Sequence, residues 1–486
     1  MGIVANQSIK NTIITYLGFG LGAINVLFLF TEFVSDAYFG LIQYIFSTAN
    51  VMMPILAFGV HNTLIKFYSS YKTRKSQNSF LLLMLLLPMA IIIPVFLLGY
   101  FSYQTISTWL AGSNNIVEGY TWLIFISAVA FAYFEVFYAW SRVQMQSVFG
   151  NFMKEVFHRI GTMVLLLCLY VDFITTDQLV YSLTAVYVIR VVIMKLYAFS
   201  LRFPSFYVGK IANLSSVLKY SGLIIVAGSV ANIILELDKF MINRYVAIEN
   251  VAYYSVAIYM ASVIAVPSRS MHQIISPLTA SLLNSGNKVA LLELYKKSSL
   301  NLCIISGFIF LLVVLNVNEL YSIINDSYKQ GLVVVLIIGL SKLTDSFLGN
   351  NNAILFNSDY YRMVLVLGVF LTVLTVVLNI IFIPRFGING AAYATFFAIL
   401  LYNLAKLFFV MIKMHMQPFT KQTLGTIALI AASFLMFYFW DFWWHPMLNI
   451  ALKSVLITFF YGGFVIYFNL SEDITWRLKA LLAKFV

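Results

Sequence analysis

Val217–Tyr245, VLKYSGLIIVAGSVANIILELDKFMINRY, and Val251–Leu283, VAYYSVAIYMASVIAVPSRSMHQIISPLTASLL, decide the fold. They are long apolar segments joined by a short turn, Ala247-Ile248-Glu249-Asn250. A bilayer core is crossed by roughly 20 helical residues, so each segment can span it. Yet both carry charge where hydrocarbon would lie: Glu236, Asp238 and Lys239 in the first, Arg269 and His272 in the second. An ionised side chain at that depth costs about 3 kcal/mol on insertion scales unless it faces a wet cavity or a partner, which marks these residues as functional candidates. The chain opens in a comparable way, from Lys10 to Tyr71, and the two openings together predict a polar cavity between two half-proteins.

The whole composition agrees with that reading. Of 486 residues 62% are hydrophobic and only 10% charged, with a mean hydropathy of +0.91. A soluble chain of this size needs far more polar surface, so this is a polytopic membrane protein. The first apolar segment, Ile13 to Phe33, has no small-residue cleavage site after it and reads as a spanning helix rather than a signal peptide. Cys168 and Cys303 lie far apart inside apolar segments, which predicts neither a disulfide nor a metal site, and no cofactor is expected. The net charge of +12 is spread over many short loops instead of one domain, which argues against nucleic acid.

Fourteen helices are expected, near 11–33, 41–67, 80–101, 120–141, 155–171, 179–200, 217–243, 251–283, 298–316, 331–355, 361–383, 389–412, 421–440 and 447–470. The eighth contains Pro267 and Pro277 and is expected to bend or break. No period-two alternation marks a strand, so the fold class is all-α. With the N-terminus inside, 19 Lys and Arg fall on the cytoplasmic side, among them Lys72, Arg142, Lys154, Arg159, Lys210 and Lys288, against three on the other, Arg244, Lys329 and Arg385. The positive-inside rule then puts both termini in the cytoplasm. The tail from Ser471 to Val486 has the pattern of an amphipathic helix on the inner leaflet, with a frayed basic tail as the alternative. Ala37-Tyr38-Phe39 after the first helix parallels Ala252-Tyr253-Tyr254 after the seventh, and six plus six plus two helices is the organisation expected: lobes 1–209 and 210–416, then 417–486.

Several short stretches carry a family likeness. FGINGAAYAT, Phe386–Thr395, resembles the G-x-x-G-A-A-x-A-T signature of the polysaccharide transporter branch of the multidrug/oligosaccharidyl-lipid/polysaccharide flippase superfamily. Its small residues Gly390, Ala391, Ala392 and Ala394 would in any case let helices approach closely. Leu237-Asp238-Lys239-Phe240-Met241-Ile242 followed by Ala252–Ala257, and Asp36-Ala37-Tyr38-Phe39-Gly40 followed by Gly59 and Lys66, are similar to two further family stretches. Lys66 stands where arginine is common, and Tyr254-Ser255 replace a glycine region. The resemblance implies two six-helix lobes about a central cavity and an alternating-access flippase. Its cargo would be an undecaprenyl-pyrophosphate-linked oligosaccharide moved from the inner to the outer leaflet of a bacterial cytoplasmic membrane. The partners implied are that lipid-linked glycan and membrane lipids. A chain that works as a monomer and one associated with polysaccharide polymerase machinery both stay open.

Such a cargo brings a pyrophosphate and a hydroxyl-rich sugar, so cations at membrane depth are the candidates for binding it: Arg269, His272, Arg190, Lys342 and Lys66. Glu135, Asp345 and Asp238 are candidates for proton or cation coupling. Each has a structural reading beside the functional one. Lys342 with Asp345, and Glu236 with Lys239, have the spacing of helix ion pairs; Arg190 could pair with Glu135; Lys66, Lys195 and Lys406 could snorkel to headgroups. His61 reads as a core histidine, and Asn25, Asn50, Asn232 and Asn350 to Asn352 as helix-packing amides. Two rivals are weighed. A cation-coupled drug exporter of the same superfamily usually has an acid midway along the first helix, which is absent between Lys10 and Glu32. A polysaccharide polymerase or ligase needs a large catalytic loop, and the loops here are short, so no enzyme is expected.

Overall fold

A computed structural model describes residues 2–205, 209, 211, 213–227, 230–440 and 444–476. All regular structure in them is helical, as the composition requires, and eleven helices are long and apolar enough to cross a membrane. One of these, Tyr361–Met414, contains a turn at Gly387 (φ 57°, ψ −135°), so it comprises the two separate segments expected there. The expected fifth segment does not pass as one span because it is interrupted: Val148–Phe152, a π-helical turn Met153–Phe157, then His158–Tyr170. The expected seventh is helical on both sides of residues 228–229, which lie outside the described residues, as Leu214–Ala227 and Val230–Tyr245, the latter with Glu236, Asp238, Lys239 and Arg244 in sixteen residues. Fourteen crossings are therefore not countable by length and composition.

The chain forms two compact units, Met1–Ala252 and Tyr253–Val486. In the first, Thr121–Val143 is the central helix, packed on Asp36–Leu56 and on Thr176–Leu201. Ala128, Ala132 and Ala139 are fully or almost fully buried on it, and such small residues bring backbones close enough for dispersion forces to act. Thr175 and Gln178 form a reciprocal capping box that fixes where Thr176–Leu201 begins. The second helix is not continuous: it stops at Leu56 and resumes at Val60, around Gly59 with φ +61°. Only glycine fits there, because a Cβ would lie 2.5 Å from the Ser221 carbonyl oxygen.

In the second unit Lys288–Leu315 packs against Leu332–Phe347, Val266–Asn284 and Lys421–Tyr438. The break expected near Pro267 is present, as a 3-10 turn Val263–Ala265 with the proline in the first turn of the helix that follows. Ala391, Ala392 and Ala394 are completely buried, and a Cβ on Gly390 would collide with the Phe382 carbonyl, so this run does serve close helix approach. Of the tail, residues 472–476 are helical; Arg477, Lys479 and Lys484 lie outside the described residues, as do Lys210 and Asp441.

Candidate functional site

The first unit holds a partly open polar cavity of about 220 Å³ between its helices. Arg190 and Tyr187 come from near the middle of Thr176–Leu201, Phe134 and Glu135 from Thr121–Val143, and Asn50 from Asp36–Leu56. Lys154, Glu155, His158 and Arg159 come from the interrupted fifth segment. These four are spaced i, i+1, i+4, i+5, which gives a helix one charged stripe. Lys154 thus sits on a helix and not in the loop before the expected segment 155–171: the helix starts at Val148, earlier than the apolar run suggests, and its π-turn carries both Lys154 and Glu155. π-turns leave a carbonyl without its regular partner and recur at functional sites. Here Asn25, from a second π-turn Ile24–Leu29, donates its Nδ2 to the Arg159 carbonyl at 2.8 Å.

Charge in the cavity is unevenly matched. Lys154 Nζ is 2.6 Å from Glu135 Oε1, so Glu135 pairs with Lys154 rather than with Arg190. Arg159 Nη1 is 3.4 Å from Glu155 Oε2 and also donates to the Glu155 carbonyl at 3.0 Å. Arg190 is left without a carboxylate. It is 6% exposed, its Nε has no hydrogen-bond partner, and its guanidinium carbon lies 4.1 Å from the Phe134 ring centre and 4.8 Å from that of Tyr187. Aromatic faces compensate a desolvated guanidinium in part. With the histidines neutral, Lys154, Arg159 and Arg190 against Glu135 and Glu155 leave one positive charge in excess.

In the second unit Lys406 is 1% exposed, which corrects the expectation that it snorkels to headgroups. Its Nζ donates to Asn352 Oδ1 at 2.9 Å, lies 3.9 Å from Asp345 Oδ1 and sits 4.2 Å over the Tyr402 ring. Snorkelling fails because that face of the helix meets protein, not lipid. His272 is half-buried beside Asn350, and Lys342 half-buried on the helix that carries Asp345. Arg269 is exposed, and Lys66 is exposed with its Nζ 3.9 Å over the Tyr220 ring. Asp238 is fully buried; its neighbours Glu236 and Lys239 form the expected ion pair at 3.3 Å, with Ser47 donating to Glu236 at 2.6 Å. The structure thus gathers Arg190 and Glu135 into one cavity and sets Asp345 against Lys406. Arg269, Lys342 and Lys66 line neither place. Asn350 and Asn351 pack helices, Asn351 donating to Tyr295 Oη at 2.6 Å and Asn350 to Thr279, while Asn50 lines the polar cavity; the Asn232 side chain lies outside the described residues.

A second hollow of about 820 Å³ in the first unit is almost wholly apolar, between residues such as Leu86, Ile93, Phe125 and Val192, with Lys195 as its single charged lining residue. Ile93 and Val192 are half exposed there, as lipid-facing residues are.

No protein-family profile matches the chain, and no curated protein matches it. Solved structures do. One described as the lipid II flippase MurJ in an inward closed conformation aligns with a TM-score of 0.70 at 15% identity, covering 94% of this chain and 100% of that one. An inward-facing multidrug resistance MATE family transporter of the MOP superfamily aligns at 0.60 and 13%, covering 87% and 95%. The MATE multidrug transporter DinF-BH aligns at 0.54 and 15%, covering 85% and 95%. The chain therefore has the fold of these multi-pass transporters, none of which is described as an enzyme.

Proposed function

We propose that this protein is a flippase for a phosphorylated, lipid-linked oligosaccharide, carried on undecaprenyl pyrophosphate across a bacterial cytoplasmic membrane with both chain termini on the cytoplasmic side. The observation that carries this reading is the charge balance at membrane depth. Glu135, Glu236 and Asp345 each face a lysine within 3.9 Å, whereas Arg190 and Arg269 have no carboxylate that close among the described residues. An unpaired guanidinium suits an anionic cargo, since it binds phosphate in bidentate fashion. The apolar groove beside Lys195 supplies a place for a greasy anchor to slide while its headgroup is escorted. The lobes expected at 1–209 and 210–416, with 417–486 appended, belong to this proposal, as does transport by alternating access.

The second reading, a cation-coupled drug exporter, is favoured by the likeness to MATE structures over 87% of the chain. Depleting the protein in its host and identifying accumulated lipid-linked sugars by mass spectrometry separates the two. Build-up on the inner leaflet supports the flippase; no build-up, with dye efflux lost instead, supports the exporter.

A further inference from the structure

Arg190 sits in the middle of a spanning helix, 6% exposed, with no hydrogen bond or ion pair to its guanidinium among the described residues and with its Nε buried beside open space of about 220 Å³. Burying an uncompensated cation costs several kcal/mol even after relaxation, more than the rings of Phe131, Phe134 and Tyr187 around it return. The two acids that share the cavity are already committed, Glu135 to Lys154 and Glu155 to Arg159, so the excess positive charge has no internal counter-charge. The space holds on the order of ten water molecules, enough for an ion and part of its hydration shell. Asn50 adds an amide and His158 a ring N–H for a ligand that accepts hydrogen bonds.

We propose that this cavity is a binding site for a small monovalent inorganic anion, of the class of chloride, held by Arg190 with Asn50 and His158 and acting as the resident counter-ion of the first unit. A single excess charge selects a monovalent ion, since a divalent one would overcompensate. Arg190 is also one of the guanidiniums that the flippase reading counts, and the small anion is its counter-ion while no cargo is bound; the site itself is set by the internal balance of five charged side chains, whether the cargo is a glycan lipid or a drug.

The test uses the full-length purified protein in detergent, with thermal unfolding followed by tryptophan fluorescence in sodium chloride, sodium bromide or sodium gluconate at one ionic strength. Chloride and bromide are expected to raise the midpoint by several degrees over gluconate, saturably, because a ligand bound only by the folded state stabilises it by mass action. Arg190→Gln is expected to melt cooperatively but to lose the chloride dependence, and Arg190→Lys to keep a weakened one. Equal midpoints in all three salts, or an undiminished chloride response in Arg190→Gln, overturn the proposal. Should Arg190→Gln fail to fold, crystals of the unmodified protein grown in bromide decide the matter. An anomalous peak within hydrogen-bond reach of the Arg190 guanidinium is expected, and its absence overturns the site. None of these readouts involves transport, so failure here leaves the flippase reading standing and the reverse also holds.

Discussion

Lys154 Nζ lies 2.6 Å from Glu135 Oε1, and this contact ties the interrupted segment 148–170 to the central helix Thr121–Val143. The lysine is 42% exposed and the glutamate 18%, so the pair is partly screened. Removing one partner strands the other's charge, while replacing both leaves nothing unpaired. Glu135→Gln alone should cost about 1–2 kcal/mol of stability, and the double variant Glu135→Gln, Lys154→Met should cost less than Lys154→Met and Glu135→Gln summed. Thermal unfolding of the four proteins in detergent measures the coupling; additive costs would deny it.

The Lys453–Glu319 pair is a stricter case, at 3.4 Å with side chains 3% and 9% exposed. Glu319→Gln or Lys453→Met should each lower stability by about 3–5 kcal/mol, and the paired change to apolar residues should recover most of it. Fluorescence size-exclusion of the solubilised variants after graded heating reads this directly.

Gly18 has no room for a side chain: a Cβ there would press on the Glu155 carbonyl and come within 2.7 Å of Arg159 Nη1. Gly18→Leu should therefore displace the charged stripe of segment 148–170 and abolish transport in reconstituted vesicles, with the protein still inserted in the membrane. Gly20, two residues on, faces open space, so Gly20→Leu is the control expected to transport normally.

At Gly387, φ is +57° and ψ −135°, a conformation that costs other residues of order 1–3 kcal/mol. Gly387→Val should lower the melting midpoint. Gly390→Val should lower it further, because its Cβ would collide with the Phe382 carbonyl oxygen, whereas a Cβ on Gly387 meets nothing within 4 Å. Equal midpoints for the two variants would refute that ranking.

Arg269 is exposed on the helix that follows the 3-10 turn Val263–Ala265 and makes no ion pair among the described residues. If it meets an anionic headgroup, Arg269→Glu abolishes flipping in vesicles without reducing insertion, and Arg269→Lys retains part of it. Unchanged transport by Arg269→Glu removes the residue from the cargo path.

Apolar length and breaker residues made the helices readable: Pro267 lies beside a real break, and Gly390 to Ala394 lie at a real close approach. Side-chain partners were less readable, because they depend on which helix face meets which neighbour. Lys406 had the position of a snorkelling lysine and is instead buried against Asp345 and Asn352. Lys154 looked like a loop charge because the charges themselves interrupt the apolar run that marks a span. The spacing Lys154, Glu155, His158, Arg159 was the available signal, since four polar residues on one helical face beside the apolar run 160–171 point inward to a partner.

Gly307 leaves no gap for anything but Ile430, and Tyr461 donates to the Ile304 carbonyl at 3.0 Å, so the helices Lys421–Tyr438 and Pro446–Tyr467 seat directly in the core of Lys288–Leu315. That seam can close only after Lys421–Tyr438 and Pro446–Tyr467 have been made. A product stalled or clipped before residue 421 would keep an open flank along Lys288–Leu315.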